Sequence, residues 1–75
     1  MDKRLERMRQ NSKNVRPAEL DAAMRTAGFS ASQRGSHVIY RRGPREKLSV
    51  PQRRPFLLPV YVKEALKLLD PGGDQ

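Results

Sequence analysis

The sequence predicts one small α+β domain, with two helices laid on one face of a three-stranded antiparallel sheet. Apolar residues recur at helical spacing near each end of the 75-residue chain. Between those stretches, short runs suited to strands are separated by glycine turns. The resulting order is helix, three-stranded meander, helix. Covering one sheet face with both helices is the simple way to bury their apolar stripes.

Residues 2–10 have helical spacing but only Leu5 and Met8 on one face. A loosely attached helix or frayed arm is therefore expected over 1–14, with Asn11-Ser12-Lys13-Asn14 as a polar loop. The folded domain is expected over 15–70 and a disordered tail over 71–75. Pro17 suits the first position of a helix, where its missing N–H leaves no bond unmade. Arg16 before it is a poor N-cap. Glu19 and Asp21 complement the positive end of the helix dipole. Leu20, Ala23, Met24 and Ala27 make one buried stripe, and Gly28 is the left-handed stop. This predicts a helix over 17–27.

Phe29 to Gln33 reads as the first strand, Arg34-Gly35 as a hairpin turn and Ser36 to Arg42 as the second strand. Gly43-Pro44-Arg45-Glu46 is a second turn. Lys47 to Val50 is the third strand, ended by Pro51. Alternation puts His37, Ile39 and Arg41 on one face of the second strand and Ser36, Val38, Tyr40 and Arg42 on the other. Both faces hold apolar residues. Val38 and Tyr40 are expected to pack inward, because burying an unpaired imidazole beside Arg41 would be costly. After an irregular proline-bounded link, Pro59 opens the last helix. Val62, Ala65, Leu66 and Leu69 form its stripe, widened by Tyr61 and Leu68.

A chain of this size buries only about 60% of its unfolded surface, so its stability is marginal. It has no cysteine, hence no disulfide framework and no thiolate metal site. Residues 1–7 lack the apolar core of a signal peptide, and no apolar run nears the ~20 residues of a membrane span. A cytoplasmic protein without membrane attachment is expected. The formal charge is +8. Residues 34–54 carry Arg34, Arg41, Arg42, Arg45, Lys47, Arg53 and Arg54 against Glu46 alone. Such a stripe is an electrostatic footprint for nucleic acid, although a solvated basic surface has the same composition. Arginine dominates it, and guanidinium matches phosphate bidentately.

The chain's one histidine, His37, lies inside that stripe. Histidine's unperturbed pKa of roughly 6.5 lets it take and give a proton near neutral pH. Arg34, Ser36, Arg41, Arg42, Arg53 and Arg54 surround it in sequence and are the candidate RNA contacts. A lone histidine at a strand start is also an ordinary solvated residue.

Gly28-Phe29, Gly35-Ser36-His37, Ile39-Tyr40 and Ser49-Val50-Pro51, in that order and spacing, resemble the HicA toxins, the ribonuclease halves of HicA/HicB toxin–antitoxin pairs. The Asn11…Lys13-Asn14-Val15 lead-in and the closing Pro59-Val60-Tyr61-Val62-Lys63 resemble one branch of that family. The likeness covers roughly residues 11–70. It implies a fold similar to double-stranded-RNA-binding domains, cleavage of messenger RNA with His37 as catalytic residue, and a HicB-like antitoxin partner. Many members carry a second histidine just after the third strand. Here that stretch is Pro51-Gln52-Arg53-Arg54, so a two-histidine acid/base pair is impossible.

RNA cleavage without metal needs a base for the 2′-OH, an acid for the leaving 5′ oxygen and positive charge on the phosphorane. His37 can serve as base or acid, and Arg34, Arg41 or Arg42 as the charge. The acidic residues are scattered and no His/Cys set suits zinc, so no metal or other cofactor is expected. Ser36 beside His37 is not expected to act as a nucleophile, because neighbouring strand residues point to opposite faces; it should bond the turn backbone. Tyr40 reads as core. The competing reading is a non-catalytic RNA-binding module that recognises A-form shape. A DNA-binding domain fits less well, since no helix has a basic reading face.

Overall fold

The computed structural model describes residues 3–69. It is an α+β domain with the order α1 (Lys3–Gln10), a 3-10 turn (Ser12–Asn14), α2 (Pro17–Thr26), β1 (Ser30–Arg34), β2 (His37–Arg42), β3 (Glu46–Pro51) and α3 (Pro59–Leu69). The strands form one antiparallel sheet in the order β1-β2-β3. The tail at 71–75 expected to be disordered lies outside the described residues. Among the described residues no helix is long and apolar enough to cross a membrane.

Helix α2 starts as its sequence suggests. Pro17 occupies the first turn and Arg16 gives no side-chain cap. The helix stops in a Schellman arrangement around Gly28 (φ +97°). The Gly28 N–H donates to the Arg25 carbonyl, and the Phe29 N–H reaches back to the Met24 carbonyl, each at 3.0 Å. Phe29 is therefore committed to closing the helix, which is why β1 begins at Ser30 instead of Phe29. It also runs one residue further than expected. Gly35 (φ +62°) takes the first central position of a two-residue turn, with Ser36 as the second. Glycine first is the type II′ pattern, whose twist suits a hairpin. Arg34 and His37 then close the hairpin as a pair, and Ser36 belongs to the turn, not to β2.

The register divides the sheet cleanly. Ala31, Val38, Tyr40, Leu48 and Val50 face the helices, where Tyr40 and Val50 are buried and the others pack against the core. Leu20, Ala23 and Met24 of α2 and Val62, Ala65 and Leu66 of α3 supply the opposite wall. Leu69 is partly buried against them. The Tyr40 hydroxyl donates to Asp21 at 2.8 Å, so its polar end is satisfied. Burial first, and Asp21 second, push this phenol well above its ordinary range.

The first helix is not the loose arm that its sparse apolar content suggests. Met8 is fully buried and Leu5 packs against the same core. The partners come from α2 and α3, far along the chain, so two apolar residues suffice. Burying such a side chain contributes roughly 1.5–3 kcal/mol. Arg7 also pairs with Glu19 of α2, an exposed contact of small weight. Val15, 1% exposed, continues the same seam, and its carbonyl accepts the Leu57 N–H at 2.8 Å.

Replacing Met8 with Ala should cost about 2–5 kcal/mol, the range for emptying a well-packed site. Urea unfolding of the two proteins measures this. A loss below about 0.5 kcal/mol, the level of an ordinary surface change, would mean that α1 is not part of the folded core.

Candidate functional site

The sheet face turned away from the helices carries the candidate chemistry. Cross-strand pairing orders it in three rows: Arg34, His37 and Pro51; then Ser32, Ile39 and Ser49; then Ser30, Arg41 and Lys47. Residues directly opposite in an antiparallel pair share a face, with Cβ atoms about 4.5–5.5 Å apart. Arg34 is thus the immediate neighbour of His37. Arg41 and Lys47 lie on the same face, four residues along β2 from His37, or about 13 Å at strand rise. His37, Arg34, Arg41 and Lys47 are all exposed, and no carboxylate belongs to this face.

His37 opens β2 beside the tight turn, and the turn is held from two sides. The Gln52 N–H donates to the Ser36 carbonyl at 2.7 Å, and Gln33 Nε2 donates to the Gly35 carbonyl at 3.2 Å. The Ser36 hydroxyl does not bond the turn backbone as expected. As a turn residue it is free of strand alternation, and its Oγ lies 3.5 Å from His37 Nδ1. That is the outer limit of a hydrogen bond, too long to fix the imidazole firmly.

Arg42 is not brought to the face of His37. Its guanidinium makes a bidentate pair with Glu46, Nε to Oε1 at 2.6 Å and Nη2 to Oε2 at 2.8 Å. Nη1 also donates to the Ala27 carbonyl at the end of α2, at 2.8 Å. The group lies 4.4 Å over the Phe29 ring. Counting cations cannot show that one of them is spent on ending a helix and closing a hairpin. Hydrogen bonds to Arg42 hold the Glu46 carboxyl below its ordinary range, and the same bonds raise the guanidinium.

Arg53 and Arg54 are exposed in the link after β3. Arg54 does not extend the sheet face. With Pro55 it walls an open groove of about 540 Å³, opposite Arg16, Pro17 and Ala18. Two cations escaped the sequence-level candidates. Lys47 was readable from alternation, since Leu48 and Val50 point inward. Arg16 carries no such signal, because its approach to Arg54 is purely tertiary. Among the described residues no three His, Asp or Glu side chains are grouped as metal ligands would be.

The two neighbouring arginines should respond differently to removal. Arg41→Ala should leave stability within about 0.5 kcal/mol. Arg42→Ala should lower it clearly more. Glu46, with its pKa depressed on folding, stabilises the fold above the ordinary carboxylate range near 4.3. That contribution is lost as pH falls through the lowered folded value. Glu46→Gln should therefore be less stable at neutral pH, with the gap to the parent closing towards acid. Parallel stability–pH curves for the two proteins would remove the pair from this role.

The chain matches no protein-family model, no curated protein and no solved structure.

Proposed function

We propose that this protein is a metal-independent endoribonuclease acting on messenger RNA, with His37 as catalytic residue and Arg34 as its nearest charge partner. The observation that carries this reading is the exposed row Arg34–His37 on an open, cationic sheet face without carboxylates. A polyanion meets no like charge there, and its phosphate can lie against both groups.

The chemistry follows from those two side chains. Neutral His37 takes the 2′-OH proton as the 2′ oxygen attacks the adjacent phosphorus. The bond from phosphorus to the 5′ oxygen breaks and that oxygen takes a proton from water, leaving a 2′,3′-cyclic phosphate and a 5′-hydroxyl. In its protonated form His37 can instead give the leaving oxygen its proton. Arg34 offers two N–H groups to the equatorial oxygens as charge builds on them. One proton-transfer group contributes typically ~10²–10⁴-fold, so the enzyme should be slow.

In the wider reading, suggested by the HicA resemblance, the protein is a cytoplasmic toxin of dsRBD-like fold, inhibited by a HicB-like antitoxin. Acidic side chains of that partner would seat opposite Arg34 and Arg41 and speed encounter. An ordinary interface takes about 800 Å² from each partner, roughly 15% of the 5215 Å² that the domain exposes and enough to cover the His37 face. RNA and antitoxin would then compete for one face. A non-catalytic RNA-binding module is the second reading. It is favoured by one observation: among the described residues no carboxylate orients His37, and Ser36 lies too far away to do so.

Since His37 is exposed and outside the core, His37→Ala should fold normally and bind RNA while losing at least ~10²-fold in cleavage. Cleavage is followed in EDTA with 2′,3′-cyclic phosphate detected at the product end. An unchanged rate, with contaminating nuclease excluded, would sink the catalytic assignment and leave the binding module. For the wider reading, a co-purified acidic antitoxin should suppress cleavage and protect His37 from diethyl pyrocarbonate. A complex that cuts RNA at the rate of the free protein would exclude occlusion of His37.

A further inference from the structure

We propose that the groove between the first turn of α2 and the link after β3 is a second phosphate subsite, taking the RNA backbone beyond the phosphate at His37. The proposal rests on the reading of this protein as one that acts on RNA.

The groove is bounded by Arg16, Pro17 and Ala18 on one side and by Arg54 and Pro55 on the other. It brings together two guanidinium groups that are 38 positions apart in sequence. Both side chains are exposed, and neither makes a hydrogen bond or ion pair among the described residues. Among the described residues no acidic side chain lines the groove. The carboxylate nearest in sequence, Glu19, is engaged by Arg7 of α1. Pro17 has no N–H to offer, and the full charges that attract an anion are those of the two arginines. The remaining lining is apolar and uncharged, which suits a ribose beside the phosphate.

Both walls are fixed before any ligand arrives. The Leu57 N–H bonds the Val15 carbonyl at 2.8 Å, and both residues are buried, so the link is pinned one residue before Arg16. The Arg16 guanidinium lies 5.9 Å over the Phe56 ring, which favours one orientation. A cation held in place loses less freedom on binding than a loose one.

One wall of the groove is continuous along the chain with the residue that braces the His37 turn. The Gln52 N–H bonds the carbonyl of Ser36, the residue before His37. Arg54 follows two residues later, within about 7 Å of chain. A strand with one phosphate at Arg34 and His37 can leave the sheet past Arg53 and reach Arg54 and Arg16. An acidic protein surface would satisfy the charge equally. The continuity with a phosphodiester site favours RNA.

The test uses the full chain and two uncleavable probes, a 2′-O-methyl uridine dodecamer and the corresponding dinucleotide. Arg16→Ala, Arg54→Ala and the double variant are compared with the parent at several salt concentrations, after thermal melts confirm folding. For the dodecamer, the double change should flatten the plot of log affinity against log salt by about 0.7, the loss of one neutralised phosphate, and each single change should flatten it part of the way. The double variant should lose affinity on the order of tenfold at low salt. The dinucleotide, too short to span both sites, should bind all four proteins alike. Inorganic phosphate at millimolar concentration should compete more with the parent than with the double variant, which has lost the subsite. Unchanged slopes for the dodecamer overturn the subsite while leaving the RNA reading intact. An equal loss for both probes overturns it too, since it would mean a general field effect. Variants that lose only the acidic antitoxin, with RNA binding intact, would reassign the groove to that partner. A parent protein that binds neither probe would overturn the RNA reading and this subsite together.

Discussion

Everything in this small domain depends on the period-two alternation of β2 and the register that fixes it. Tyr40 and Val38 point one way and reach the helices; His37 and Arg41 point the other way and reach solvent. A slip of one residue would exchange the two sets. It would expose a buried tyrosine, strip Asp21 of its 2.8 Å bond and push Arg41 into the core. An unpaired charge there costs far more than the whole domain can spare. The glycine-first turn at Gly35-Ser36 and the Gln52 bond to the Ser36 carbonyl pin the same register from the strand's other end. Fold and site therefore share one constraint: whatever keeps Tyr40 inside keeps His37 outside.

The arginines divide along the same plane, and this bears on how a polyanion would bind. Arg42 is surrounded by Glu46, the Ala27 carbonyl and the Phe29 ring. Recruiting it to a phosphate would break bonds that hold α2 to the second hairpin. Arg34, Arg41, Arg53 and Arg54 make no such contacts among the described residues. Their charge can be turned to a ligand without a structural cost. The cations that carry no structural bond are thus fewer than the composition suggests, and Arg34, Arg41, Arg53 and Arg54 among them lie on one sheet face and the adjoining link.

This division explains what was legible in the residues and what was not. Helices α2 and α3 were legible because Pro17, Gly28 and Pro59 mark their limits and their stripes are complete. The outward turn of His37 was legible because burying it beside Arg41 is unfavourable. Strand limits missed by a residue where one backbone group has two claimants: the Phe29 N–H closes a helix that it was expected to leave. The docking of α1 was not legible, because α1 packs against α2 and α3, which no local pattern connects to it. Nor was the role of Arg42, or the meeting of Arg16 with Arg54. Each depends on which partner the fold supplies, and a cation looks the same in sequence whether it is paired or not.

A domain this short has little stability to spare, and the arrangement places its chemistry where stability is least involved. The core lies wholly on the helical side of the sheet, with Met8, Tyr40, Val50 and Val62 at or near complete burial. The His37 face contributes only the partly covered Ile39 and Pro51, among small hydroxyl residues and unpaired cations. Substitution there alters charge without opening a cavity, whereas any change to Tyr40 or Arg42 acts on the scaffold first. The link from Gln52 to Leu58 is the one segment that serves both purposes. One end braces the turn before His37, the other closes the core through Leu57 and Val15, and Arg53 and Arg54 stand between them. Charge that is to be presented to a flexible polymer is best carried by a segment that is itself anchored at both ends.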